Sequence, residues 1–407
     1  MKFITDILPG LFSETAKALR RSEIRELLKL TRQPGVISFA GGLPYPGLFP
    51  KEEMIDVVKT VLDREGELAL QYGPTEGDGR LIEYLVNWMR EDEGADIDQE
   101  NILIVSGSQQ ALDIIGKVFI NPGDPIIVGL PSYLGALQAF QSYRANLIGV
   151  RLDKQGMDVD RVEQILKEYA GRQKKIKFIY VVPDFQNPSG VTMSLERRKK
   201  ILDLCYEYGT VVIEDSPYRE LRFEGEELPM VGAMDKRGYA FSLHTFSKIL
   251  FPGTRMGWII ANKAIMDKLV MAKQSADLCT SPLAQSIVYE FCRRGRLKPH
   301  IQKIVEVYRK KRDIMLDALE TYVPKDLGID WTHPQGGLFL WVCLPEHMDA
   351  EELFPKAIEK KVAYVVGSAF HFDRSGKNTM RLNFSYPSEE QIVEGVKRLA
   401  GLFKEAV

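Results

Sequence analysis

Residues 177–190 read KFIYVVPDFQNPSG, an unbroken apolar run that opens into a polar loop containing proline and glycine. An apolar run this short, rich in β-branched and aromatic residues, reads as a strand buried on both faces. Just downstream, Ser194 offers an N-cap to a helix that Gly209 ends. The next apolar run, VVIED at 211–215, is a second strand of the same kind. Strand, helix and strand in succession form a βαβ unit, and such units build parallel sheets covered by helices on both faces.

The same rhythm extends in both directions. NILIVSG (101–107) is a strand followed by an amphipathic helix from Gln109 to Phe119. PIIVGLPSY (125–133) and YAFSLHTFS (239–247) are further strands. The fold class is therefore α/β, with a mostly parallel sheet between helices. A long helical region spans about 283 to 321, after which the texture changes. IDWTHPQGGLFLWVCLP, KKVAYVVGSAF and TMRLNFSYP read as an antiparallel or mixed sheet, a smaller α+β domain. The last helix, SEEQIVEGVKRLAGLFKEA, sets Ile392, Val396 and Leu399 on one face. At the other end, Ser22 is placed to cap SEIRELLKLT, where Ile24, Leu27, Leu28 and Thr31 share a face. GVISFAGGLPYPGLFP is then a short strand entering a Gly/Pro-rich loop. These textures divide the chain into an N-terminal segment (1–48) packing with the small domain, a large domain (49–300) and a small C-terminal domain (301–407).

Composition narrows the class of partner. A formal charge of −2 on 407 residues carries no global field for nucleic acid or an anionic membrane. No apolar run reaches the ~18 residues of a membrane span. The start, broken by Asp6 and Pro9, lacks a signal-peptide pattern, so the expected location is the cytoplasm. Cys205, Cys279, Cys292 and Cys343 form no CxxC and sit in apolar surroundings, as small buried hydrophobes do. His244, His300, His333, His347 and His371 show no metal-ligand spacing, so no metal is expected.

In open α/β sheets, ligands bind beyond the carboxyl ends of the strands. The polar residues there carry the chemistry. Gly107, Ser108 and Gln109 open a helix directly after a strand, where free N–H groups and the helix dipole favour an anion. Thr245, Ser247 and Arg255 add two hydroxyls and a guanidinium. Together they describe a phosphate cup, although neither GxxxxGK[ST] nor GxGxxG is present. Asp215 ends an apolar strand, where a carboxylate is costly unless paired with a cation or hydrogen-bond donors; a structural salt bridge would serve, and a protonated ring nitrogen equally well. Asn187 and Tyr218 are suited to hold a phenolate oxygen on such a ring, and Tyr133 to stack on its face. A shielded lysine beside an arginine, Lys248 near Arg255, has its ammonium form disfavoured. A neutral amine condenses with an aldehyde to a Schiff base. Phosphate, aromatic ring, ring nitrogen, phenolate and aldehyde are the parts of pyridoxal 5′-phosphate.

The motifs FAGGLPYPGLFP, QYGPTEG, SGSQQALD, PSY, QNPSG, EDSPY, TFSKILFPGTRMGW, GGLFLW and RLNFS occur in this order over nearly the whole chain. In this the chain resembles the fold-type I, class I/II pyridoxal-phosphate aminotransferases. The resemblance implies an aspartate aminotransferase-like fold, with a seven-stranded, mostly parallel sheet in the large domain. It implies ping-pong transfer of an amino group from an amino acid to a 2-oxo acid such as 2-oxoglutarate. Lys248 resembles the Schiff-base lysine and Asp215 the partner of the pyridine nitrogen. Ser108, Gln109, Thr245, Ser247 and Arg255 would bind the phosphate. Asn187 and Tyr218 would hold the phenolate oxygen, and Tyr133 would stack on the ring. Tyr72 would reach the phosphate of a neighbouring subunit, which implies a homodimer with shared sites. Arg381 and Asn187 would take the substrate α-carboxylate, near the backbone of Gly41 and Gly42. Within the family, RELLKL followed by SFAGGLPYPGLFP is similar to the 2-aminoadipate and kynurenine branch. There Arg25 would bind a distal carboxylate, with a solvated surface charge as the alternative reading. Tyr45 would line the side-chain pocket and favour aromatic or long aliphatic donors. Phe251 and Thr254 depart from the small residue and leucine that relatives often carry. The same scaffold also supports β-lyase and decarboxylase chemistry. A regulator-type sensor would need a DNA-binding module of ~70 residues ahead of the core, and the residues before GGLP at 41–44 hold no such pattern.

Overall fold

The computed structural model describes residues 3–18 and 34–406, so Ser22, Arg25 and the helical face around them lie outside the described residues. Strand β1 (Ile37–Ser38) belongs with the C-terminal part of the chain. The main sheet takes β2 (Ile102–Val105), β3 (Pro125–Leu130), β4 (Asn146–Asp153), β5 (Gly156–Met157), β6 (Phe178–Val181), β7 (Val211–Asp215), β8 (Ala240–Thr245) and β9 (Gly257–Ile260). Its spatial order is β2-β9-β8-β7-β6-β3-β4-β5. The pairs from β8 through β7, β6 and β3 to β4 are parallel. Strand β9 runs antiparallel between β2 and β8, and β5 folds back on β4. The mostly parallel sheet thus has eight strands where seven were expected, the extra one being the two-residue β5 that closes a hairpin at the edge.

Side-chain alternation explains why these runs had to be buried twice. In β6, Phe178 and Tyr180 point into one hydrophobic cluster, while Ile179 and Val181 point into another on the opposite face. Helices cover both. Ser108–Phe119 and Lys263–Asp277 pack on one side, and Val159–Gly171 and Leu195–Tyr208 on the other. Ser194 caps the last of these, accepting from the Arg197 N–H, and Gly209 ends it in the left-handed region.

Beyond this sheet, the helical region about 283–321 is two helices, Pro282–Arg293 and Leu297–Tyr322, separated at Gly295 with a φ of 67°. The smaller sheet comprises β10 (Asp330–Trp331), β11 (Phe339–Cys343), β13 (Val365–Val366) and β14 (Thr379–Asn383), all antiparallel. Between β11 and β13 lies β12 (Val362–Ala363), which pairs in parallel with β1. The closing helix Glu389–Glu405 buries Ile392, Val396 and Leu399. All four cysteines are free; Cys205 and Cys292 are buried as expected, but Cys279 and Cys343 are only half-buried. No helix among the described residues is long and apolar enough to cross a membrane.

Candidate active site

Parallel strands deliver their carboxyl ends to one edge of the sheet. Strand β9 runs the other way, so its amino end, just after Arg255, arrives at that same edge. The loops there surround a cavity of about 570 Å3. Of the residues singled out from sequence, Gly42, Ser108, Gln109, Tyr133, Asn187, Asp215, Tyr218, Thr245, Ser247, Lys248, Arg255 and Arg381 line it. Arg25 lies outside the described residues. Tyr72 does not line the cavity and is 80% exposed. Tyr45 does not line it either: its ring lies under the Lys311 ammonium, 3.6 Å from the centroid, and its N–H donates to the Tyr308 hydroxyl. Gly41 is likewise absent from the lining.

One end of the cavity is built for an anion. The helix Ser108–Phe119 begins there, with Gly107 as its N-cap. The Arg255 guanidinium lies against that turn, so close that a Cβ on Gly107 would come within 2.7 Å of Nη2. Thr245 Oγ1 donates to Ser247 Oγ at 2.9 Å and accepts from the Ser247 N–H. Tyr133, at the start of the helix Leu134–Ser142, donates to Gln109 Oε1 at 3.3 Å.

At the centre stand Asp215 and Lys248. Asp215 is buried at the end of β7, and burial pushes its carboxyl up to about 7 against the opposing hydrogen bond from Tyr180. The Tyr180 hydroxyl donates to Oδ2 at 2.7 Å, while the buried Oδ1 has no partner among the described residues. A buried carboxylate oxygen without a donor is costly, and this one is free to accept a donor from outside the chain. Lys248 Nζ donates to the Gly42 carbonyl at 2.9 Å. Burial, with Arg381 and Arg255 nearby, brings its ammonium down to about 8, so a usable fraction is neutral amine near neutral pH.

The third part comes from the smaller sheet. Arg381 on β14 is buried, and burial lowers it to about 10. Its Nη1 donates to Asn187 Oδ1 at 2.9 Å and its Nη2 to the Ala40 carbonyl at 2.8 Å, leaving Nε buried without a partner. Asn187 Nδ2 in turn donates to the Tyr218 hydroxyl at 3.2 Å. Phe339 and Phe370 flank the guanidinium, 4.2 and 4.9 Å from ring centroid to Cζ.

The sequence alone did not single out Tyr180, Gln138, Phe339 or Phe370; Tyr180, Phe339 and Phe370 stood out only as members of apolar runs. Tyr180 left a signal: a phenol inside an otherwise apolar strand needs a hydrogen-bond partner, and the neighbouring strand ends in Asp215. The ring walls left none, because a phenylalanine at a cavity and one in the core look alike in sequence.

Comparison with known proteins gives a consistent picture. The family "Aminotransferase class I and II" matches residues 44–399. The chain is 50% identical to the aromatic-amino-acid aminotransferase 1 of Thermococcus litoralis, over 97% of this chain and 94% of that one. It is 42% identical to the 2-aminoadipate transaminase of Thermus thermophilus, over 97% and 96% respectively. Among solved structures, the kynurenine aminotransferase of Pyrococcus horikoshii, in complex with PMP, KYN as substrate and KYA as product, superposes with a TM-score of 0.95 at 46% identity, covering 99% of both chains.

Proposed function

The chain belongs to the class I and II aminotransferases, which are pyridoxal-phosphate enzymes, and on that premise we propose that it moves the amino group of an aromatic or long-chain acidic amino acid to a 2-oxo acid, with 2-oxoglutarate as acceptor, by a ping-pong mechanism. The observation that carries this reading is that Lys248, Asp215 and Arg381 open into one cavity with an anion cup at its end.

The donor set fits pyridoxal phosphate. Ser108, Gln109, Thr245, Ser247 and Arg255 would hold the phosphate, and Tyr133 the ring face. Asp215 Oδ1 would accept from the ring nitrogen, and Asn187 with Tyr218 would hold the phenolate oxygen. The cofactor supplies an aldehyde to carry the amino group and an electron-poor ring to accept the electrons released at the substrate α-carbon. The protein does the rest. Arg381, helped by Asn187, holds the α-carboxylate through a planar guanidinium. Lys248 Nζ, neutral in part at working pH, takes the α-proton and gives it back. Phe339, Phe370 and Tyr133 keep water from the reacting atoms. The aromatic walls and the named activities of the relatives support aromatic and 2-aminoadipate-like donors. Arg25 is assigned the distal carboxylate of the acidic ones. We assign a cytoplasmic homodimer in which Tyr72 serves the partner's phosphate site; its 80% exposure in a single copy supports this.

Lys248→Ala tests the reading. It should remove both transamination and the absorbance band that the cofactor's Schiff-base link to the lysine produces. Retention of both would sink the assignment. Stoichiometric glutamate formation from 2-oxoglutarate separates transamination from lyase or decarboxylase chemistry.

A further inference from the structure

We propose that Tyr180 is a positioning residue for the reaction: it holds one oxygen of Asp215, so that the other is presented as a carboxylate to the cofactor's ring nitrogen. The inference rests on the reading of Asp215 as the partner of that nitrogen.

Tyr180 lies on β6, in register with Ile213 of β7, two residues before Asp215. Its side chain is 1% exposed, and the Phe140 ring packs edge-on against it at 5.5 Å, which fixes the direction of the hydroxyl. That hydroxyl donates to Oδ2 at 2.7 Å, while Oδ1 has no partner among the described residues. The carboxylate is therefore asymmetric: one oxygen is satisfied from within the protein, the other is left for a donor from outside. The identity of the inner donor matters. A lysine or arginine in its place would neutralise Asp215 and compete with a protonated ring nitrogen. A phenol stabilises the anion and leaves its charge unspent. Burial holds this phenol well above its ordinary pKa, so it keeps its proton and can only donate to the carboxylate. The other titratable groups acting near Asp215 are Tyr133 after β3 and Tyr218 after β7, both phenols kept protonated by burial. Among the described residues, no cation pairs with Asp215 in the ring nitrogen's place.

Tyr180→Phe removes only the hydroxyl. Apoprotein of wild type and variant is titrated with pyridoxal phosphate and with an analogue carrying carbon in place of the ring nitrogen. The variant should bind the natural cofactor about tenfold more weakly, the worth of one hydrogen bond to a charged group, and bind the analogue unchanged. Equal losses for both ligands mean that Tyr180 acts through packing, and overturn the proposal; so does no loss for either. A fluorotyrosine placed at position 180 is a stronger donor of nearly the same shape. It should tighten binding of pyridoxal phosphate and not of the analogue, and an unchanged ratio overturns the proposal even where the phenylalanine variant does not fold. Failure of the underlying reading looks different: wild-type protein would then show no preference for the ring nitrogen at all.

Discussion

At the level of single residues, Arg381 illustrates what a side chain does when its surroundings leave it one task. It is buried, flanked by Phe339 and Phe370, and two of its nitrogens are engaged by Asn187 and Ala40. Those bonds fix the guanidinium plane and leave Nε without a protein partner. Arg381→Lys keeps the charge and loses the plane. The expected loss in kcat/KM is on the order of tenfold to a hundredfold. Because every amino acid carries an α-carboxylate, the loss should be equal for aromatic and acidic donors in steady-state assays. A loss confined to acidic donors would mean that Arg381 reads the substrate side chain instead. Strand-end polar residues such as Asp215 and Lys248 were legible in sequence because burial forces a polar group to have a reason. Arg381 was legible only through the resemblance carried by RLNFS. Tyr45 sits in a loop rich in Gly and Pro, and no pattern in that loop revealed that its ring turns toward Lys311.

Elements were legible in proportion to how completely they are buried. The apolar runs around β2, β3, β6, β7 and β8 could be read because both faces need hydrophobic residues. Strand β4 was missed because it forms the sheet's edge hairpin with β5, with Asn146, Arg151 and Asp153 exposed. The break at Gly295 was missed because amphipathic periodicity continues on both sides of it. The reversed direction of β9 has a consequence for the site. Gly257 pairs with Val105 on one side and Thr245 on the other. A Cβ there would lie 2.6 Å from the His244 carbonyl oxygen and 2.9 Å from the Ser108 nitrogen, both backbone atoms that cannot turn aside. Gly257→Ala should therefore force β8 and the start of the anion-binding helix apart. The expected cost is about 1–3 kcal/mol of stability, with weakened cofactor phosphate binding, read by denaturant unfolding and by reconstitution. Unchanged values in both would mean that the backbone there yields freely.

For the whole molecule, the site's charges become a dependence of folding stability on pH. Burial raises Asp215 from 3.8 to about 7, against the Tyr180 hydrogen bond. Between those values the folded cofactor-free chain holds a proton that the unfolded chain releases, so stability falls as pH rises through this window. The full effect is on the order of 4 kcal/mol. Lys248 acts in the opposite direction: burial, then Arg381 and Arg255, lowers it from 10.5 to about 8. Between about 8 and 10.5 the unfolded chain binds the extra proton, and stability rises with pH. The two windows leave the cofactor-free protein with its largest penalty from this pair at pH 7 to 8. On the proposed assignment, a ring nitrogen on Asp215 and a covalent bond at Lys248 would remove both penalties together, so added pyridoxal phosphate should stabilise most in that same interval. Denaturant unfolding of the cofactor-free protein checks this, with Asp215→Asn and Lys248→Ala compared against wild type. The Asp215→Asn protein should gain on wild type as pH rises from 4 to 7, and Lys248→Ala should lose its advantage as pH rises from 8 to 10.5. Stability curves that run parallel across both intervals would mean that neither group is held away from water as the fold implies.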